Sequence, residues 1–297
     1  MSLSIYFIEN SFIHYPGRVR YRMSIRSKSV LASVLIVAFL VAAETAAALS
    51  VSGSTTVLPF GVQCAEDFNT MQSDIDVSVT GGGSGVGIKN IAEGISDIAM
   101  ASRKVKDSEK EAYPDEEFVE TPIAYDAVCV AVSQAVYDAG VTDLSQEDVQ
   151  AVYNGEITNW ADLGGDDEAI YVVGREVGSG TRDTFNGMVM GSDEAETEGV
   201  RTNVGSNAEM KTAIVNSDKA IGYLGLNYVQ NGDLVAIAYE GVEPSADTIK
   251  DGSYPLAREL YMYTYGEPSE DAQVFLDFVT GEDGQTIAED LGFVSIN

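Results

Sequence analysis

A short turn of glycines and hydroxyls, preceded by an arginine, is the stretch of this sequence whose residue types best suit chemistry. The apolar run 169–173 leads to Arg175, and the turn at 178–181 has the sequence Gly-Ser-Gly-Thr. Phe185, Met188 and Val189 follow at spacings that place them on one face of a helix. The stretch therefore predicts a strand, a glycine-containing turn and the start of a helix.

These residue types are suited to holding an oxyanion. The first turn of a helix has backbone N–H groups without partners and the positive end of the helix dipole. Ser179 and Thr181 can donate from their hydroxyls, and glycine lets a backbone approach a ligand closely. Arg175 would add a planar set of donors that matches a tetrahedral oxyanion. The alternative is that Ser179 only caps the helix.

The same pattern occurs at other places in the chain. A strand signal precedes the loop 52–56, another precedes the glycine-rich loop 81–87, and an apolar run ends in Ser102-Arg103. Strand, loop and helix alternate through both halves, which predicts an α/β fold. Ligands of such sheets lie beyond the carboxyl ends of the strands. We therefore expect all four loops to face one cleft, three from one lobe and the fourth from the other.

Two long strand signals, at 120–133 and 256–265, are long enough to leave one lobe and enter another. They predict two α/β lobes joined by two hinge strands, with the last helices returning to the first lobe. We assign residues 49–128 plus 259–297 to lobe 1 and residues 129–258 to lobe 2.

The composition is strongly acidic. There are 47 Asp and Glu residues against 17 Lys and Arg, for a formal net charge of −30. This argues against nucleic acid or an anionic membrane surface as a partner. It would also repel an anionic ligand at long range, so local donors must supply the affinity and salt should help the encounter.

Several enzyme classes do not fit the residues. Ile88 stands where a nucleotide-hydrolase phosphate loop needs lysine, and Val86 stands where the dinucleotide fingerprint needs its third glycine. No serine has the glycine spacing of a nucleophile elbow. His14 is the single histidine and precedes the predicted mature chain, which removes the usual general base and the commonest transition-metal ligand. We expect neither catalysis nor a cofactor.

The amino-terminal residues predict an exported protein. Residues 23–48 have a basic start, an apolar run at 30–43 and an alanine-rich end, as secretory signal peptides do. We interpret residues 1–22 as an extension upstream of a true start at Met23. The apolar run is short for a membrane span, so cleavage near Ala48 is favoured, and an uncleaved membrane anchor is the alternative. The mature chain is expected to be extracytoplasmic.

The two cysteines, Cys64 and Cys129, each lie within an apolar pattern. Buried free thiols are therefore expected, although export would permit a disulfide. Two cysteines are too few for a structural zinc site.

With the loops placed, residues 50–297 resemble the substrate-binding component of phosphate ABC importers, which has the type II periplasmic-binding-protein fold. The stretches that carry the resemblance are 52–59 (SGSTTVLP), 83–85 (GSG) with 88–89 (IK), 97–103 (DIAMASR), 175–181 (REVGSGT) and 220–223 (AIGY).

The resemblance implies a monomer without a cofactor or catalytic activity, which delivers inorganic phosphate to the permease subunits of an importer. It also implies the residues that bind phosphate, which are Thr55, Thr56, Ser84, Gly85, Ser102, Arg103, Arg175, Ser179, Gly180 and Thr181.

Position 103 departs from part of this family. Some members have an aspartate there, which accepts the proton of monohydrogen phosphate and rejects sulfate. Arg103 can only donate, so it would either add charge at the anion or turn away to surface acids. Asp126, on the first hinge strand, is either a substitute acceptor or a hinge residue that bonds the backbone.

The ligand and the role therefore have alternatives. Sulfate, tungstate or molybdate could replace phosphate, and the protein could be a sensor or scavenger without an importer. A phosphate-ester hydrolase that uses the same loops is the most distant alternative.

Overall fold

The computed structural model describes residues 47–229 and 234–297. The predicted extension and all but the last two residues of the predicted signal peptide lie outside these residues. Ala47 and Ala48 belong to the first strand. In the described part of the chain, we find no helix with the length and hydropathy that a membrane span requires.

The strands in chain order are β1 (Ala47–Gly53), β2 (Ile75–Gly81), β3 (Ile98–Ala101), β4 (Phe118–Val132), β5 (Asp143–Leu144), β6 (Tyr171–Arg175), β7 (Thr202–Val204), β8 (Ala220–Gly225), β9 (Val235–Ala236), β10 (Ala238–Tyr239) and β11 (Ala257–Tyr265).

The α-helices in chain order are α1 (Leu58–Met71), α2 (Ser84–Ala92), α3 (Asp107–Ala112), α4 (Gln134–Asp138), α5 (Gln146–Asn154), α6 (Gly180–Phe185), α7 (Asn207–Val215), α8 (Ala246–Lys250), α9 (Glu270–Thr280) and α10 (Glu282–Asp290). Short 3-10 turns lie at Trp160–Leu163 and Leu226–Tyr228, and a π-helical turn lies at Asn186–Met190.

Most strands form one mixed sheet in the order β2-β1-β3-β11-β4-β8-β6-β7, with β9 beside β4. β1 is parallel to β2 and β3, and β6 is parallel to β7 and β8. The long strands β4 and β11 run antiparallel to each other between these two parallel groups. The α/β prediction is confirmed.

The strand β4 is shared between the two parallel groups. Its residues up to Ala127 pair with β11, and its residues from Val128 onward pair with β8. The strand therefore has the length that was expected of a hinge strand. The register also places Arg258 of β11 directly opposite Asp126 of β4. Two charged side chains of opposite sign therefore face each other where the groups meet.

The buried apolar side chains form separate clusters on the two sides of this point. One cluster contains Phe60, Cys64 and Phe275, and another contains Cys129 and Trp160. Both cysteines are buried and unpaired, as predicted, and Trp160 is buried within its cluster. The lobe boundaries stay a prediction, and this division of the core supports them.

One expectation for the helix after the turn 178–181 is wrong. Phe185 and Val189 are buried, but Met188 is 44% exposed. The helix α6 ends at Phe185 and the chain continues as a π-helical turn. Because a π turn contains more residues than an α turn, it moves Met188 off the buried face.

Candidate functional site

The predicted loops lie at the carboxyl ends of the two parallel groups of strands, and contacts join them. Thr56, after β1, has its Oγ1 2.9 Å from Oγ1 of Thr181 in α6. The backbone N–H of Gly85 donates to the carbonyl oxygen of Gly178 at 3.0 Å. Loops that are far apart in sequence thus form one buried group of donors.

Arg175 ends β6 inside this group and is 1% exposed. Its Nη2 donates to Thr55 Oγ1 at 3.1 Å and to the Gly205 carbonyl at 3.2 Å, and its Nε donates to the Val204 carbonyl at 3.2 Å. Its Nη1 is buried and has no hydrogen-bond partner in the part of the chain that the structure describes. A buried cationic donor without an acceptor is costly unless an anion accepts from it.

The charge of Arg175 is also poorly compensated. Burial lowers the pKa of Arg175 to about 10, and the nearby cation of Arg258 acts in the same direction. The guanidinium is nevertheless charged at neutral pH, and within the described residues it donates to a hydroxyl and to backbone carbonyls. An oxyanion beside Nη1 would supply the missing negative charge.

Asn207, which sequence reasoning did not select, fixes the direction of two hydroxyls. This residue is buried at the start of α7, and its Nδ2 donates to Thr55 Oγ1 at 3.2 Å and to Thr56 Oγ1 at 2.9 Å. Thr55 Oγ1 also accepts from Arg175, and Thr56 Oγ1 accepts from Arg258 Nη2 at 3.3 Å. Because a hydroxyl has two acceptor lone pairs and one proton, both hydroxyls can act only as donors, and Thr56 donates to Thr181 Oγ1.

Ser84 and Ser102 are fully buried opposite the start of α6. Their hydroxyl oxygens are 3.3 Å apart, and the N–H of Ser102 donates to Ser84 Oγ at 3.1 Å. A Cβ atom on Gly180 would lie 2.2 Å from Ser84 Oγ and 2.6 Å from Ser102 Oγ. Only glycine therefore allows this approach between the loops. Ser179 caps α6 by accepting from the N–H of Arg182 at 3.2 Å.

Arg258 is the second arginine of the site, and the sequence analysis missed it. Its Nε and Nη2 donate to Oδ2 of Asp126 at 3.0 and 2.7 Å, and its Nη1 donates to Thr181 Oγ1 at 3.2 Å. Asp126 Oδ1 accepts from the N–H of Leu226 at 3.0 Å. Asp126 therefore holds Arg258 and a backbone group, and the hinge-residue alternative describes it.

Arg103 turns away from the hydroxyls and towards acids, which is one of the two alternatives predicted for it. Its Nη1 and Nη2 donate to Glu109 at 2.8 and 2.7 Å, and its Nε donates to Asp183 at 2.7 Å. Burial alone would lower the pKa of Arg103, but the hydrogen bonds and charges of these carboxylates outweigh it and raise the pKa. The charge of Arg103 is thus compensated by two carboxylates, and its role towards an anion stays a prediction.

Known proteins resemble this chain over most of its length. The profile of the PBP superfamily domain matches residues 40–283. The phosphate-binding protein PstS of Bacillus subtilis (strain 168) is 34% identical over 254 residues, which are 85% of this chain and 82% of the relative. PstS of Staphylococcus aureus (strain USA300) is 33% identical over 256 residues, covering 82% of this chain and 76% of the relative.

The chain belongs to the PBP superfamily, in the family of the PstS phosphate-binding proteins.

Solved structures agree with this membership. A Clostridium perfringens protein assigned as the substrate-binding protein of a phosphate ABC transporter, solved with bound phosphate, matches with a TM-score of 0.77 and 34% identity. The match covers 84% of this chain and 100% of that chain. An ABC-type phosphate transport receptor from Vibrio cholerae matches with a TM-score of 0.67 and 31% identity, covering 83% and 99% of the two chains. The two-lobed fold expected of a PstS-family chain is supported by these structures.

Asp183 forms ion pairs across the PstS-family cleft, next to the buried hydroxyl groups described above. This residue of α6 is 8% exposed, and Lys106 also contacts its Oδ1 at 3.2 Å. The partners Arg103 and Lys106 follow β3, so these ion pairs form only when the loops of the two parallel groups meet. Asp193 also contacts Lys106, at 2.8 Å, but its side chain is 44% exposed.

We expect Asp183→Asn to weaken anion binding about tenfold, because Arg103 and Lys106 both lose the carboxylate that pairs with them across the closed cleft. The loss should appear as faster release, with the preference between anions unchanged. Stopped-flow release measurements would check this. Asp193→Asn is the matched control and should change release less than about threefold, since exposed pairs contribute little. Equal effects of the two substitutions on phosphate release would contradict the view that Asp183 stabilises the closed form.

Proposed function

We propose that this chain is an extracytoplasmic phosphate-binding protein that delivers inorganic phosphate to an ABC importer. The single observation that carries the proposal is the buried Nη1 of Arg175, which has no acceptor within the described residues and lies in a cluster of hydroxyl donors. The names of the relatives, which are phosphate-binding proteins and transport receptors rather than enzymes, support it.

The proposed ligand set keeps most of the predicted residues and changes two. Arg103 is left out because its donors serve Glu109 and Asp183. Arg258 is added because it donates to Thr56 and Thr181. The resulting set is Thr55, Thr56, Ser84, Gly85, Ser102, Arg175, Ser179, Gly180, Thr181 and Arg258.

The charges of this set favour binding over catalysis. Asp126 compensates Arg258, whereas Arg175 has a free donor, and hydroxyl and backbone donors supply the remaining hydrogen bonds. Hydrogen bonds to a charged group strengthen when water is excluded. The Thr55 and Thr56 hydroxyls have their lone pairs occupied, so neither is free to act as a general base.

Closure of the cleft would connect phosphate binding to transport. Contacts such as Thr56 with Thr181 and Gly85 with Gly178 join the predicted lobes around the proposed anion position. A phosphate held there would stabilise the closed form, whose joint surface the permease subunits of an importer could recognise. Export by a signal peptide, with a monomeric mature chain, belongs to the same proposal.

Phosphate uptake by cells tests the transport role. Cells that lack this chain should lose high-affinity uptake, wild type should restore it, and Arg175→Ala should not. Normal uptake without the chain, combined with intact phosphate binding by the purified protein, would favour the sensor or scavenger alternative. Turnover of a chromogenic phosphate ester, lost in Arg175→Ala, would favour the hydrolase alternative.

The net charge of −30 leads to a prediction about rates. The overall field should repel phosphate, so raising the salt concentration should increase the association rate by screening. The release rate should change less, because the buried donors are poorly screened. Stopped-flow association at constant pH, with a salt that does not compete for the site, would measure this. An association rate that falls with salt would instead indicate local steering by exposed cations near the cleft.

A further inference from the structure

The donor cluster contains one acceptor that its hydrogen bonds leave free. Asn227, in the 3-10 turn after β8, has an Oδ1 that is inaccessible to solvent and has no hydrogen-bond partner within the described residues. An amide oxygen can accept two hydrogen bonds, and leaving it buried and unpaired costs free energy.

This oxygen lies close to Thr56, one of the proposed phosphate ligands. An atom at the Cβ position of Gly225 would be 2.8 Å from Asn227 Oδ1, 3.0 Å from the Thr56 methyl and 3.1 Å from Asp126 Oδ2. The three groups therefore surround one point at the hinge. The next residue, Tyr228, donates from its hydroxyl to the Thr55 carbonyl at 2.8 Å, which fixes the turn against the first loop.

The neighbouring carboxylate is occupied. Asp126 Oδ2 accepts both the Nε and the Nη2 of Arg258, and its Oδ1 accepts the N–H of Leu226. The Thr55 and Thr56 hydroxyls accept from Asn207 and the arginines, which leaves them as donors, Thr56 towards Thr181. Among these groups, Asn227 Oδ1 is the one whose acceptor capacity is wholly unused.

We infer that Asn227 is a specificity residue, which accepts the proton of a protonated oxyanion through Oδ1. This rests on the proposed function. Monohydrogen phosphate offers an O–H to this oxygen, whereas sulfate offers only another oxygen, and two acceptors facing each other without a proton repel.

Titration calorimetry of Asn227 variants with phosphate, arsenate and sulfate, at slightly alkaline pH and constant ionic strength, tests the inference. Asn227→Ala should weaken phosphate and arsenate binding about tenfold each, since both carry the proton, and should leave sulfate binding unchanged or stronger. Asn227→Asp keeps an acceptor and should bind phosphate within a few-fold of wild type, with sulfate binding weakened further. Asn216→Ala, an exposed asparagine at the end of α7, is the control and should change nothing.

The outcomes separate this inference from the proposed function. Equal losses for phosphate and sulfate in Asn227→Ala, or no loss for either, would overturn the inference and leave phosphate binding intact. A wild-type chain that binds no phosphate would overturn the proposed function and this inference with it.

Discussion

Arg175→Ala should reduce phosphate affinity by a hundredfold or more. The substitution removes the free Nη1 donor and the Nη2 donor that holds Thr55, and hydrogen bonds to a charged group contribute about 1.5–3 kcal/mol each. Arg175→Lys should recover only part of the loss, because an ammonium group cannot reproduce the planar donor pair. Calorimetry on protein freed of bound anion would measure both variants.

Arg201→Ala is the matched control for charge. Arg201 is an exposed arginine immediately before β7, so its removal changes the net charge equally without touching the hydroxyl cluster. It should alter phosphate affinity by less than about threefold. If Arg175→Ala bound phosphate with wild-type affinity, Arg175 would not be the main ligand that the proposed site requires.

Gly180→Ala should abolish tight binding although it deletes no donor. The added Cβ would lie 2.2 Å from Ser84 Oγ, 2.6 Å from Ser102 Oγ and 2.9 Å from Ser84 Cβ, all shorter than real Cβ contacts. The loops of α2 and α6 must then stay apart, and we expect an affinity loss of roughly a hundredfold or more because several hydrogen bonds to the anion are broken together. Small-angle X-ray scattering should show that phosphate no longer makes this variant more compact.

Gly187→Ala controls for the change of glycine to alanine. It lies in the π-helical turn that continues α6, and the nearest atom to its added Cβ is at 4.0 Å. Both variants should fold, because neither glycine has a positive φ. If Gly180→Ala closed around phosphate as wild type does, the approach of Gly180 to Ser84 would not belong to the bound form.

The parts of the site that follow from local pattern were predictable. Thr55, Ser84 and Thr181 each lie where a strand signal gives way to a helix signal, and parallel strands bring such junctions to one edge. Asn207 has the same kind of signal, since the sequence Gly-Ser-Asn follows β7 and starts α7. This pattern indicates a helix start, and nothing in it distinguishes a ligand site from a simple cap.

The rest depends on pairings that local pattern does not contain. Arg258 enters the site because the register of β4 and β11 sets it opposite Asp126, and each is a charged residue inside a long apolar strand. These two residues of opposite charge, one in each long strand signal, are the sequence feature that could have identified Arg258. The direction of Arg103 is decided by Glu109 on the next helix and by Asp183, which is 80 residues away. A single motif around position 103 cannot specify such a choice.

The most direct test of the central claim is calorimetric titration of the chain without its predicted signal peptide, freed of bound anion, with phosphate, sulfate and tungstate in parallel. We predict one phosphate per chain, bound roughly a hundredfold or more tighter than sulfate. No binding of phosphate, or tighter binding of sulfate or tungstate, would contradict the account of a phosphate site built on Arg175.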